Sequence, residues 1–199
     1  MNYGADRPAV LKYDPFKAII VPRPIGWIGT MNADGVPNLA PYSFFTMHGT
    51  RPHMISFTSE GDKHSVVNAR DRAEFTFSLV TEDLAQAMNA TSAPLPDGAD
   101  EFAAAGLTRG HSIEIAAPFV AESPAALECV TLSTTQLRDR NGCLTGSYLV
   151  LGEVVRTHIK DAFIQNGRFD TVKARPIARM GYRDYATVTD AWELMRPSD

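Results

Sequence analysis

"RPIGWIGTMNADGVPNLAPYSFF", residues 23–45, is the stretch on which the fold turns. Asp34-Gly35 lies between two β-type runs, residues 25–31 and 36–41, and glycine accepts the positive φ of a tight hairpin turn without steric cost. The same span carries Trp27, Tyr42, Phe44 and Phe45, more aromatic surface than a hairpin needs. Alternate side chains of a strand point to opposite faces, so Tyr42 and Phe44 share one face while Ser43 and Phe45 share the other. Rings interleaved with small hydroxyls suit two structures. One is the core of a small β-domain; the other is the wall of a pocket for a flat heteroaromatic ligand.

Outward from this hairpin, "AIIVP" (18–22) predicts a short strand that Pro22 and Pro24 end or bend. "HMISFTS" (53–59) and "EFTFSLV" (74–80) alternate as strands. In the second, Phe75, Phe77 and Leu79 should face a core, and Glu74, Thr76 and Ser78 solvent. "KHSVVNARDR" (63–72) reads as a helix. "TEDLAQAMNAT" (81–91) reads as another, with Thr81 as its N-cap. A loop over 92–99 and a short helix in "DEFAAAG", stopped by Gly106, complete a helical excursion over residues 82–106. Asn141-Gly142 then turns a second, longer hairpin with arms 131–137 and 143–158. Short strands, two hairpin turns and no βαβ rhythm predict a mainly β fold. We expect an antiparallel barrel with helical insertions, a single domain over residues 1–199.

Composition narrows the function classes. With 44% hydrophobic residues the chain can bury a core and is not disordered. A net charge of −4 and 19 scattered basic residues argue against a nucleic-acid partner, which needs clustered Lys and Arg. Cys129 and Cys143 are too few for a disulfide framework and match no zinc-ribbon spacing, so reduced thiols in a cytoplasmic protein are expected. No apolar run approaches the ~20 residues of a membrane span, and the first residues lack signal-peptide order.

The common catalytic cradles are missing: no GxGxxG, no P-loop, no GxSxG. The five histidines lack HxxxH or HExxH spacing, so no metal site is expected. Gly26 and Gly29 form only a lone GxxG. Lys63, His64 and Ser65 open a predicted helix, where free N–H groups, a lysine and a hydroxyl would hold a phosphate. A surface helix capped by Ser65 or Asp62 fits the same letters. His158 ends a predicted strand, and Arg179 stands in the closing segment, able to pair with a phosphate or with Asp184.

In order, "RPIGWIGTMNADGVPNLAPYSFF", "RPHMISFTS", "KHSVVNAR", "EFTFSLV", "DEFAAAGLT", "ESPAALEC", "GEVVRTHI" and "RPIARMGYRDYATV" resemble the flavin reductase-like family of FMN-binding split barrels. The closer likeness is to its flavoprotein oxygenase-associated branch, over residues 12–188. The resemblance implies a Greek-key split barrel, a homodimer and FMN near the subunit interface. By position it implies Trp27, Ile28, Gly29 and Thr30 along the isoalloxazine, with Ser43, Phe44 and Phe45 against it. Lys63, His64, Ser65 and Asn68 would hold ribityl and phosphate, Arg179 would add a cofactor contact, and His158 is the one catalytic candidate. Relatives often read Lys-Asp-Thr where Lys63-His64-Ser65 stands here, and Ala-Arg-Leu-Gly-Gly where "ARMGY" stands, so Tyr182 would re-line the site mouth. The activity implied is NAD(P)H-dependent flavin reduction, hydride passing to flavin N5, with reduced flavin or electrons going to a partner monooxygenase. An FMN-binding electron carrier or storage protein is the alternative. An oxidase of the pyridoxamine-phosphate type, which the ordered motifs disfavour, and a flavin-free binding module are further from the sequence.

Overall fold

The computed structural model describes residues 1–96 and 98–197; Asp97, in the loop expected at 92–99, lies outside them. In chain order, helix α1 (Phe16–Ile19) precedes strands β1 (Arg23–Pro24), β2 (Gly26–Met31), β3 (Pro37–Tyr42), β4 (Phe45–Thr50) and β5 (His53–Glu60). Helix α2 (His64–Arg72) leads into β6 (Glu74–Leu79), followed by a 3-10 turn at Glu82–Leu84 and helices α3 (Ala85–Ala90) and α4 (Glu101–Ala104). Two-residue strands β7 (Arg109–Gly110) and β8 (Phe119–Val120) come before the long pair β9 (Ala125–Arg138) and β10 (Leu144–Ile159). The chain closes through β11 (Ile164–Gln165), β12 (Arg168–Phe169), α5 (Thr171–Ala174), β13 (Ile177–Arg179) and β14 (Tyr185–Thr187).

Seven strands form one antiparallel sheet in the order β3-β2-β6-β9-β10-β5-β4. Its two end strands are neighbours in sequence, joined only by Ser43 and Phe44. Strands spaced ~4.8 Å apart would put the ends of a flat seven-stranded sheet roughly 29 Å apart. The three Cα steps from Tyr42 to Phe45 reach at most about 11 Å. The sheet must therefore roll up. It does so without a β3–β4 ladder, which leaves a split that the chain crosses at Ser43–Phe44, where Thr58 N–H donates to the Phe44 carbonyl at 2.8 Å. The mainly β, antiparallel split-barrel expectation is met.

Both expected hairpins form. Gly35 holds φ +78° and Gly142 φ +81°. A side chain finishes each turn: Asn32 Oδ1 accepts from Asp34 and Val36 N–H, and Asp139 Oδ1 accepts from Asn141 and Cys143 N–H. The strand expected at 18–22 does not form. Pro15 enters α1 in a helical conformation and its carbonyl accepts from Ala18 and Ile19, so the segment begins as a helical turn. The excursion over 82–106 is helical as expected, but Thr81 does not cap it with its side chain. Its backbone instead bridges to Pro176 and ties the excursion to the closing segment.

The sheet separates two cores. Inside the barrel, Ile28, Tyr42, Phe57, Phe75, Cys129 and Val150 pack with α2, the Tyr42, Phe57 and Phe75 rings meeting at 4.8 and 5.4 Å. Gly152 on β10 makes room there, because a Cβ at this position would meet the Phe75 ring. On the outer side, Trp27, Leu39, Met88, Phe102, Val120 and Ile177 pack beneath α3 and α4.

Strand β6 departs from the half-buried pattern: Thr76 and Ser78 are buried too. The segment 111–123 covers that face and is held by polar groups. Thr76 Oγ1 donates to the Pro118 carbonyl at 2.8 Å, and Ser78 Oγ accepts from Val120 N–H at 3.0 Å. Glu74 accepts from Ala116 and Ala117 N–H. Glu128, fully buried, accepts from Ile113, Glu114 and Ile115 N–H and from His158 Nε2 at 2.6 Å. Burial alone would raise the Glu128 carboxyl, but these donors together hold it below the ordinary carboxylate range.

A folded-state value below the unfolded one means that Glu128 stabilises the protein above the unfolded value, and that this contribution is lost as pH falls through the folded value. Glu128→Gln should therefore cost about 2–3 kcal/mol at neutral pH. The gap from wild type should close as pH drops below ~4.3, the unperturbed glutamate value. Urea unfolding across pH measures both, and a gap independent of pH would remove the carboxylate latch.

Candidate functional site

The split opens onto a trough of three adjoining hollows. The first, about 440 Å³, lies between the start of α2, strand β3 and the 91–95 loop. The second, about 390 Å³, is walled by Arg23, Met88, Asn89, Arg179, Tyr182 and Tyr185. They meet at Pro41 and Ser92. A groove of about 170 Å³ along Ser43, Phe44, Thr58 and Lys63 runs beside both.

At the first lobe, the N-cap residue of α2 makes no side-chain cap hydrogen bond among the described residues. Lys63 stands at the N-cap position, and neither Ser65 nor Asp62 satisfies the first turn. Among the described residues Ser65 Oγ instead accepts from Asn38 and Asp62 accepts from Arg70, and the first residues of the helix line the lobe with Lys63. Behind it lies a buried polar network. Asn38 Nδ2 donates to Ser65 Oγ at 2.9 Å and to Thr30 Oγ1 at 3.2 Å, and Asn68 Nδ2 donates to the same Thr30 oxygen. Burial pushes the Tyr42 pKa up, by more than the neighbouring Ser65 and Ser59 hydroxyls lower it.

The structure sorts the residues singled out in the sequence. Lys63, His64 and Ser65 line the first lobe, Ser43 the second lobe and the groove, Phe44 the groove, and Arg179 the second lobe. Asn68 borders a smaller hollow on the flank of α2, shared with His64. The "WIGT" run lies behind the trough. Trp27, Ile28 and Thr30 are fully buried, the Trp27 indole N–H donating to Thr91 Oγ1 at 2.9 Å. Gly29 sits under the Pro118 carbonyl and Gly26 under the Phe45 ring, close approaches that exclude a Cβ, so the GxxG pair serves packing. Phe45 stacks on Phe77 at 4.9 Å.

His158 is not brought to the trough. It borders a separate cavity of about 370 Å³, with its ring 4.5 Å from Phe119 and its Nε2 held by Glu128. Arg179 forms no ion pair with Asp184 among the described residues; it donates to the Tyr182 carbonyl at 2.6 Å and lies 4.5 Å from the Tyr185 ring. Tyr182 does line the mouth, in a left-handed conformation (φ +55°) that favours glycine. The sequence reading missed Arg23, Lys17, Tyr185 and Glu101 as trough residues. Arg23 carried no signal except its place before Pro24.

Comparison with known proteins decides the family. The model of the flavin reductase like domain matches residues 18–173. The chain belongs to the flavin reductase-like family. An uncharacterized protein of Deinococcus radiodurans is 34% identical over 95% of this chain and 86% of that protein. The crystal structure of nitrilotriacetate monooxygenase component B from Bacillus cereus superposes with a TM-score of 0.89 and 28% identity, covering 98% of both chains. A Shewanella frigidimarina protein with a split barrel domain gives 0.78 at 25% identity, over 87% of this chain and 86% of that one. No helix among the described residues is long and apolar enough to cross a membrane.

The placement of Trp27 has a measurable consequence. As a core residue it should cost about 3–5 kcal/mol when cut to alanine. Urea unfolding of Trp27→Ala tests this, since a residue lying on the open trough would lose far less.

Proposed function

We propose that this chain is an FMN-binding flavoprotein that oxidises NAD(P)H and passes reduced flavin or electrons to a partner oxygenase. The observation that carries the reading is the start of α2 beside Lys63, opening into a trough that runs along the barrel split. Family membership supports the flavin, and the likeness to a monooxygenase component B supports the oxygenase partner.

The residues fit the cofactor. The trough hollows fall in the usual size range for small-molecule sites. Lys63, Ser65 and the first-turn N–H groups of α2 would take the phosphate. Ser43 and Phe44 would lie along the ring system, supplying a hydroxyl, backbone donors and an apolar surface. His64 and Asn68, which share the flank of α2, would meet the ribityl chain. Bound there, the flavin supplies two-electron redox chemistry by accepting a hydride. The chain's share is to position, desolvate and orient, and no side-chain acid or base is needed for that transfer. Trp27, Ile28, Gly29 and Thr30 act from behind, fixing the wall that Asn38 and Ser65 present. His158 has its ring engaged by Glu128 and is left out of this site.

We also propose a homodimer of single-domain subunits. Val130, Leu132, Val155 and Ile159, each 39–49% exposed, leave apolar surface on the long β9–β10 pair that a second copy could bury.

Two measurements test the reading. Lys63→Ala should weaken FMN binding about tenfold, ~1.4 kcal/mol, whereas Cys143→Ser, in an exposed turn, should leave it unchanged. Equal affinities in the two variants would contradict the phosphate assignment. In anaerobic titration, NADH or NADPH should bleach the visible absorbance of the bound flavin. If neither nucleotide does so, the protein is an electron carrier and the reductase reading is lost.

A further inference from the structure

Strands β1 and β13 pair so that Arg23 stands directly opposite Arg179, and Arg179 in turn stands opposite Tyr185 on β14. Like charges directly opposite one another weaken a ladder, and such a pair is normally offset by a carboxylate. None is present. Among the described residues neither arginine forms an ion pair, and the walls of the second lobe contain no Asp or Glu. Arg23 is only 8% exposed and donates instead to three backbone carbonyls, those of Lys17, Ile20 and Met180. Its Nε is buried with no hydrogen-bond partner among the described residues. Burial first, and the neighbouring Arg179 charge second, lower the Arg23 pKa, as expected of a cation lacking its counterion.

Aromatic and apolar side chains complete the lobe: Tyr182, Tyr185, Met88 and Ile25 line it. Tyr182 keeps its left-handed conformation at this mouth and meets the Tyr13 ring at 5.7 Å. Gly181, beside it, lies against Ala18 of α1 so closely that a Cβ would collide. The turn that carries Tyr182 is therefore fixed against α1 by packing, and against β1 by the Arg23 guanidinium.

We propose that this lobe is a receptor for a small planar anion, an aromatic ring bearing a carboxylate or phosphate, with Arg179 facing the anion, Arg23 adding its charge from the wall behind, and the tyrosines facing the ring. As the docking point for the molecule that exchanges electrons with the flavin, it rests on the reading above; as an anion site it stands on the paired arginines alone. It is distinct from the start of α2, which holds a different lobe.

The test uses the full chain, with and without FMN, and three probes of one ring size: benzoate, phenyl phosphate and neutral benzamide, followed by calorimetry. At least one anion should bind one per chain and at least tenfold tighter than benzamide, and which of the two does so identifies the source of the charge. Arg179→Gln should reduce that preference at least tenfold, in the FMN-free chain as well, while costing less FMN affinity than Lys63→Ala, and Arg179→Lys should retain part of it. Arg179 is preferred to Arg23 because Arg23 also anchors α1. Benzamide binding as tightly as the anions, or an undiminished preference in Arg179→Gln, would overturn the proposal. So would a loss of FMN affinity in Arg179→Gln as large as in Lys63→Ala, which would assign the lobe to the flavin phosphate. If wild type binds the anions but no FMN, the flavin reading falls and the anion site stands.

Discussion

The architecture depends on a length constraint: two residues, Ser43 and Phe44, join the opposite ends of a seven-stranded sheet. That link decides the curvature and the location of the seam, and the seam decides where a ligand can enter. A rolled sheet whose last ladder is unmade leaves backbone groups near a cavity mouth instead of along an open edge. The groove runs along the link itself, so the stretch that forces closure also lines the opening.

Around this frame the protein uses hydrophobic burial and polar anchoring in different places. Rings fill the barrel, and Trp27 fills the layer between sheet and helices. Polar side chains do the corresponding work over β6, where Glu74, Thr76, Ser78 and Glu128 fasten the 111–123 segment through its backbone. A buried carboxylate satisfied by several N–H donors is costly to disturb, and it gives an otherwise irregular segment a fixed place.

Much of this was legible in the sequence, for physical reasons. Asp34-Gly35 and Asn141-Gly142 announce hairpins because glycine at positive φ is a local requirement. The helical excursion announced itself through the 3.6-residue spacing of Leu84, Ala85 and Met88. Lys63 and Ser65 were recognisable as candidates because the start of a helix is also a local feature. Other features depend on partners far apart in the chain. Thr76 and Ser78 read as solvent-facing because nothing local reveals the segment that covers them. His158 read as available because Glu128 lies thirty residues away on the neighbouring strand. Arg23 and Arg179 become a pair only through the register of β1 on β13. The aromatic excess of the first hairpin divides, with Trp27 and Phe45 packed as core and Ser43 and Phe44 lining the groove.

The bare backbone at Gly152 has a reach beyond its own strand. It lets the Phe75 ring settle against β10, on the side of the barrel away from the split. In a rolled sheet with one unzipped seam, girth is set where the wall is continuous and expressed where it is not. A methyl group added at Gly152 would have to displace that ring, so the packing opposite the seam depends on a residue that no ligand in the trough would touch.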